Sequence, residues 1–159
     1  MNQISDLELY IGTKEEFNNA NKEYMKIVCA LNEANGYVTH QSLVNQVDNE
    51  HTVDSPDYLV YEDEDIISLN MIDDCKCVCD DMIEPALDFI SSNLDKGYKV
   101  FIYCNTGECR SPSLALMHLL ETGVIKKDEF CFDVFRKNYY PKYNPKNSIK
   151  DYITNRYLN

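Results

Sequence analysis

The stretch from residue 98 to residue 120 constrains this chain more than any other. Residues 98–103 read YKVFIY, a short run with the near-continuous apolar character of a strand buried on both faces. Residues 111–120 (SPSLALMHLL) follow after a brief polar connection. Pro112 sits where a first helical turn tolerates it, the segment is apolar nearly all round, and Gly123 lies just past its end. A buried strand, a tight turn and an all-round apolar helix require a sheet covered by helices, with this helix at the centre.

The remaining pattern is consistent with that demand. Residues 7–11, 25–31 (MKIVCAL), 57–61 and 65–72 (DIISLNMI) read as further strands. In residues 81–94, Ile83, Leu87, Ile90 and Leu94 fall at helical spacing, Ala86 and Phe89 widen the stripe, and Gly97 stops it. Residues 128–138 and 148–158 read as two more helices, joined by the proline-containing stretch YYPKYNPK. Strands alternating with helices predict an α/β fold with a central, largely parallel sheet of about four to five strands flanked by helices. At 159 residues with no visible repeat or linker, residues 1–159 are expected to form one domain.

Charge and cysteine usage narrow the class. The net charge is −12, and no Lys or Arg occurs between Lys26 and Lys76, whereas Glu33, Asp48, Glu50, Asp54, Asp57, Glu62, Asp63, Glu64, Asp65, Asp73 and Asp74 fall there. From Lys126 onward basic residues dominate. The chain lacks the broadly basic footprint of a nucleic-acid binder, and the acidic run reads as a solvated face. The start, MNQISDLELY, has neither the basic flank nor the apolar stretch of a signal peptide, and no apolar run approaches the roughly 18 residues that span a bilayer. Seven cysteines, an odd number scattered along the chain, read as reduced thiols. A cytoplasmic protein, a monomer by default and without a membrane partner, is the expectation.

The candidate chemistry lies in the connection itself: Tyr103, Cys104, Asn105, Thr106, Gly107, Glu108, Cys109, Arg110, Ser111, Pro112. A strand-to-helix turn of this length lets successive backbone N–H groups point inward as an anion-binding nest, reinforced by the positive end of the following helix. Gly107 allows close approach of backbone to ligand. Arg110 can grip two phosphate oxygens in a planar fork that lysine cannot imitate. Cys104 lies at the foot of the nest, where dipole, amides and guanidinium favour a thiolate. In this composition a chance Cys-x5-Arg arises about 0.13 times, and with a central glycine about 0.004 times.

The passage VFIYCNTGECRSPSLALMHLL resembles the signature of the cysteine-dependent protein tyrosine phosphatase superfamily, and the compact size resembles its dual-specificity branch, particularly small phage or microbial members. The similarity runs from SLNMIDD to YYPKYNPKNSIKDYI, more than half of the chain. It implies a phosphatase loop between strand and central helix, with Asn105, Thr106, Gly107, Glu108, Cys109 and Arg110 binding phosphate. It also implies that Cys104 attacks phosphorus to give a phosphocysteine intermediate, and that Arg110 stabilises the equatorial oxygens. An upstream Asp would protonate the leaving group and then activate water. Asp73 and Asp74 lie 31 and 30 positions before Cys104; counting back from Phe89, an aromatic match in the intervening helix, favours Asp73. Ser111 would hydrogen-bond the departing thiolate. No cofactor is implied. The expected substrate is a phosphorylated protein or peptide, phosphotyrosine first and phosphoserine or phosphothreonine by implication of the branch.

One departure matters: the residue before the nucleophile is usually His in this superfamily, and here it is Tyr103, which points to reduced turnover. A phosphoprotein-binding pseudophosphatase is therefore the alternative, and a phosphatase of RNA 5′ ends or phosphoinositides a further one, which the acidic run opposes by repelling polyanions. That same run suggests that basic residues near the phosphate favour a substrate.

Cys75, Cys77 and Cys79 form Cys-x-Cys-x-Cys without the second cysteine pair of a zinc site, so a loop of reduced thiols is expected rather than a metal. A disulfide trapping Cys104 with Cys109 or one of these three is the redox reading. His118 is expected to be a satisfied interior or edge residue, His40 and His51 surface residues, and Tyr139, Tyr140 and Tyr143 packing residues.

Overall fold

The computed structural model describes residues 1–32, 39–44 and 57–159. The elements run β1 (Asn2–Gln3), β2 (Leu9–Thr13), α1 (Lys14–Asn19), β3 (Met25–Cys29), α2 (His40–Val44), β4 (Val60–Glu62), β5 (Ile66–Leu69), α3 (Asp80–Asp95), β6 (Lys99–Cys104), α4 (Arg110–Glu121), α5 (Cys131–Asn138) and α6 (Asn147–Tyr157). The six strands form one sheet in the order β1-β2-β6-β3-β5-β4. The inner pairs β2–β6, β6–β3 and β3–β5 are parallel, and β1 and β4 close the edges antiparallel. The largely parallel α/β sheet is thus as expected, with six strands where about four to five were anticipated.

The additions have local causes. Strand β1 is two residues long, too short to leave a periodic signal. Helix α1 opens with a reciprocal capping box, in which the Thr13 hydroxyl accepts from the Glu16 N–H and the Glu16 carboxylate accepts from the Thr13 N–H. That Thr-x-x-Glu signature was present in the sequence. Helix α5 starts at Cys131 rather than at residue 128 because the Asp128 carboxylate accepts the Phe130 N–H, a local turn that competes with the helix.

Strand alternation sorts the core into two faces. Val100, Ile102 and Cys104 of β6 join the larger cluster with α3 to α6, while Phe101 and Tyr103 join the smaller one with Phe17 of α1. Every residue from Ser111 to Leu120 is buried, which places α4 at the centre as its all-round apolar sequence requires. Each of its fully enclosed leucines contributes roughly 1.5–3 kcal/mol relative to exposure.

Two expectations are corrected by the fold. His40, the first residue of α2, is buried rather than at the surface: its Nδ1 is 2.8 Å from Ser68 Oγ of β5 and its Nε2 3.0 Å from the Tyr58 carbonyl. His51 lies outside the described residues. The acidic run also fails to form one patch. Asp63, Glu64 and Asp65 make the β4–β5 turn at the end of the sheet where β5 begins, and Asp65 pairs with Lys26 at 2.8 Å. Asp73 and Asp74 follow the opposite end of β5. Glu33, Asp48, Glu50 and Asp54 lie outside the described residues. Neighbours in sequence are separated here because a strand runs the depth of the sheet between them.

Candidate active site

The parallel strands β2, β6, β3 and β5 end on the same edge of the sheet, with Thr13 opposite Cys104 and Cys29 opposite both Tyr103 and Ser68. In open parallel sheets that edge is where ligands bind. The loop between β6 and α4 crosses it, the segment after β5 carries Asp73 to it, and Gly12 of β2 underlies it.

The loop is held from outside by its carbonyls. The Tyr140 hydroxyl donates to the Gly107 carbonyl at 2.7 Å, and the Asn144 N–H to the Glu108 carbonyl at 2.8 Å. Among the described residues the N–H groups of Asn105 to Cys109 donate to no carbonyl. Outward carbonyls leave those amides for an anion at the N-terminus of α4. Gly107 has φ +73°, and a Cβ there would come within 3.2 Å of the Tyr140 hydroxyl and 3.3 Å of the Gly12 carbonyl, so both conformation and space require glycine. Tyr139, Tyr140 and Tyr143 lie close to Phe135, as packing residues do, with Tyr143 also 2.8 Å from Ser113 through its hydroxyl. Replacing Tyr140 with Phe keeps the ring and removes the bond to the loop; the expected cost is about 0.5–1.5 kcal/mol. Urea unfolding reads that cost, and an unchanged midpoint would show the hydroxyl to be dispensable.

Cys104 is buried, with Sγ 3.2 Å from Ser111 Oγ. The Ser111 hydroxyl also lies 3.4 Å from the Gly12 carbonyl, so its single proton has either the sulfur or the carbonyl as acceptor. Arg110 is only 2% exposed; its Nη1 donates to the Met71 carbonyl at 2.8 Å, and its Nη2 lies 3.5 Å from Asp73 Oδ1. The structure thus brings together Cys104, Ser111 and Arg110 by the local loop, and Asp73 from 37 positions before Arg110. Asp74 is not part of this group: it is exposed, and its carboxylate accepts the Lys76 N–H.

Two contacts at the site were not anticipated. Lys146, the residue that caps α6, donates to Asp73 Oδ2 at 2.8 Å. That hydrogen bond, with the nearby Arg110 and Lys146 charges, holds the Asp73 carboxyl below the ordinary carboxylate range against the opposing effect of burial. Asp73 is 64% exposed, so solvent screens the pair and its consequence is for titration rather than stability. The second contact joins Cys75 to Cys109, whose sulfurs are 3.8 Å apart. Cys77 instead donates to the Asn70 carbonyl at 3.5 Å, so the three neighbouring cysteines do not converge. Nothing in the spacing of the sequence foretold either contact; only the proline-containing stretch before α6 marked a segment fixed against something.

Tyr103 faces away from Cys104. It stacks on Phe17, with ring centroids 4.2 Å apart and planes at 10°, and is fully buried. His118 is buried, with Nδ1 3.4 Å from Ser91 Oγ, and its burial lowers its pKa.

The fold that presents this edge-mounted loop between β6 and α4 is the fold of solved tyrosine and dual-specificity phosphatases. The phosphatase domain of Yvh1 from Chaetomium thermophilum superposes with a TM-score of 0.60 at 17% identity, covering 96% of this chain and 92% of that one. The human tyrosine phosphatase-like serine/threonine/tyrosine-interacting protein gives 0.58 at 15% identity, covering 91% and 84%. By sequence, dual specificity protein phosphatase 1 of Mus musculus is 36% identical over 62 residues, which is 39% of this chain. The chain spans only 17% of the length of that relative. No protein-family model matches the chain. The resemblance to the cysteine-dependent protein tyrosine phosphatase superfamily, in its dual-specificity-like branch, therefore holds in fold as well as in sequence. Among the described residues no helix is long and apolar enough to cross a membrane.

Proposed function

We propose that the chain is a protein phosphatase that hydrolyses phosphotyrosine, with phosphoserine and phosphothreonine as further substrates, through a phosphocysteine intermediate. The observation that carries this reading is the cluster at the loop: Cys104 Sγ 3.2 Å from Ser111 Oγ, beside a buried Arg110 that reaches Asp73. In this reading the amides of Asn105 to Arg110 and the Arg110 fork hold the phosphoryl oxygens while the Cys104 sulfur attacks phosphorus in line. Asp73 protonates the leaving oxygen, then accepts a proton from the water that cleaves the S–P bond. Ser111 donates its proton to the sulfur as it leaves. Asp73 rather than Asp74 takes the acid role because its carboxylate faces Arg110.

The test is capture of the intermediate. A phosphotyrosine peptide carrying labelled phosphate, mixed with the protein and quenched within one turnover, should leave label on the peptide that contains Cys104. Label released to solution without ever residing on Cys104 would sink the mechanism. A second reading, capture of phosphoproteins with little turnover, draws on the likeness to the human tyrosine phosphatase-like interacting protein. It predicts tight binding of the same peptide and no label on Cys104.

The ion pair at Asp73 makes a separate prediction. A general acid must be protonated, and the Lys146 and Arg110 cations favour its ionised form, so rates on poor leaving groups should rise as pH falls toward the carboxylate range. In Lys146→Met one cation is removed, the carboxyl pKa rises, and the falling limb of the pH profile moves to higher pH. An alkyl phosphate should show the shift more strongly than 4-nitrophenyl phosphate, whose leaving group needs no proton. Superimposable profiles for the variant and wild type would separate Lys146 from the acid.

A further inference from the structure

None of the seven cysteines is in a disulfide, and three have a plain structural place: Cys29 and Cys131 are buried in the core, and Cys77 lies on the surface. Cys75 and Cys109 are different. Both are buried, at 1% and 7% exposure, and their sulfurs lie 3.8 Å apart although 34 positions separate them. Cys104 has no such neighbour; its partner is the Ser111 hydroxyl, and among the described residues no thiol hydrogen-bonds to it. Trapping of Cys104 as a disulfide, one redox reading of the sequence, has no hydrogen-bonded thiol beside Cys104 among the described residues to favour it.

The setting of each sulfur differs. Cys109 ends the loop at the N-terminus of α4, and its sulfur accepts the Lys146 N–H at 3.4 Å. The contact with Cys75, that amide and the cations of Lys146 and Arg110 all lower its pKa, overcoming its burial. Cys75 is pushed the opposite way, by sharing its proton with Cys109 and by burial. The two sulfurs thus share a proton, with Cys109 the more readily ionised of the pair. Cys75 also has φ +59°, a left-handed conformation that a non-glycine residue seldom adopts. Its neighbours Asp74 and Lys76 are exposed, while the Cys75 side chain is turned inward against Cys109.

We propose that Cys75 and Cys109 are a modification site, a dithiol that a hydroperoxide oxidises to a disulfide tying the Asp73 segment to the phosphate loop. The Cys109 thiolate attacks one peroxide oxygen, the O–O bond breaks, and the second oxygen leaves as hydroxide or alkoxide and takes up a proton. Cys109 is then a sulfenic acid and the peroxide has been reduced by two electrons. The Cys75 sulfur attacks the sulfenic sulfur while its own proton passes to the departing hydroxide. The S–S bond forms, the S–O bond breaks and water leaves. The sulfurs close from 3.8 Å to about 2.05 Å, a movement that falls on the Asp73–Cys79 connection, which belongs to neither helix nor strand. The product joins the segment carrying Asp73 and the Met71 carbonyl, both Arg110 partners, to the loop that Arg110 closes.

The experiment is a peptide map without reductant after brief exposure to low hydrogen peroxide, on wild type, Cys104→Ser and Cys75→Ser. The expected result is a Cys75–Cys109 link in wild type and in Cys104→Ser, at least about tenfold more abundant than any link through Cys104, since proximity decides which thiol resolves a sulfenic acid. Dithiothreitol should reverse it. In Cys75→Ser the link should vanish and Cys109 should be captured by a sulfenic-acid reagent. A predominant link through Cys104 overturns the proposal. So does the absence of a Cys75–Cys109 link in Cys104→Ser. Because that variant has no nucleophile, the outcome is independent of whether the protein turns over phosphate esters.

Discussion

Replacing Cys104 with serine is expected to lower kcat for an aryl phosphate by roughly 10⁴-fold or more. A serine hydroxyl in the same position keeps its proton at neutral pH, and among the described residues the side chain that hydrogen-bonds at Cys104 is the Ser111 hydroxyl, which is no base. The loop amides, Arg110 and Asp73 all remain, so phosphate affinity should change little while the covalent step fails. At 1.36 kcal/mol per tenfold, the loss is about 5.4 kcal/mol of barrier. Steady-state rates on 4-nitrophenyl phosphate measure it, with competition by inorganic phosphate as the binding control. If wild type proves no faster than the variant, the protein is not a cysteine-dependent phosphatase and the binding reading takes its place.

The second large effect belongs to Arg110. Arg110→Lys should lower kcat/KM by roughly 10²–10³-fold, the scale of losing a preorganised donor to transition-state charge. The guanidinium is buried and planar, and it already makes two contacts in different directions, to the Met71 carbonyl and to Asp73. A lysine keeps the charge but offers a point donor in place of the fork, so it cannot span two equatorial oxygens. The loss should fall mainly on kcat, because charge on those oxygens is placed most stringently in the transition state. Thermal unfolding of the variant separates this from a folding defect, since a buried cation is being replaced. A change confined to KM would mean that Arg110 only gathers substrate.

How much of this was legible in the chain depends on distance along it. Strand β6, the loop and helix α4 are contiguous, so hydrophobic periodicity and one Cys-x5-Arg spacing were enough to place Cys104, Arg110 and Ser111 together. The same alternation that buries β6 sends Tyr103 to the face opposite Cys104, where Phe17 receives it. Its replacement of the usual histidine is accommodated in the smaller core, beside α1, a helix announced in sequence only by Thr13 and Glu16. The short elements α1 and β1 escaped because two to six residues leave no periodic signal.

What could not be read is everything that depends on how segments remote in sequence meet. The negative run looked like one surface, yet β5 carries its parts to opposite ends of the sheet. The substrate preference built on that run loses the support of Asp63, Glu64 and Asp65. Asp73 and Asp74 are equivalent by spacing, and only the course of the chain after β5 turns one toward Arg110 and the other toward its own loop. Lys146 reaches Asp73 from 73 positions away, and Cys75 reaches Cys109 across 34. The sequence by itself determined the Cys-x5-Arg loop between β6 and α4, because local periodicity and a short turn fix residues that are close along the chain. The tertiary structure alone decided the charge beside Asp73 and the partner of Cys109, because strand order and helix packing, which no local period encodes, set those distances.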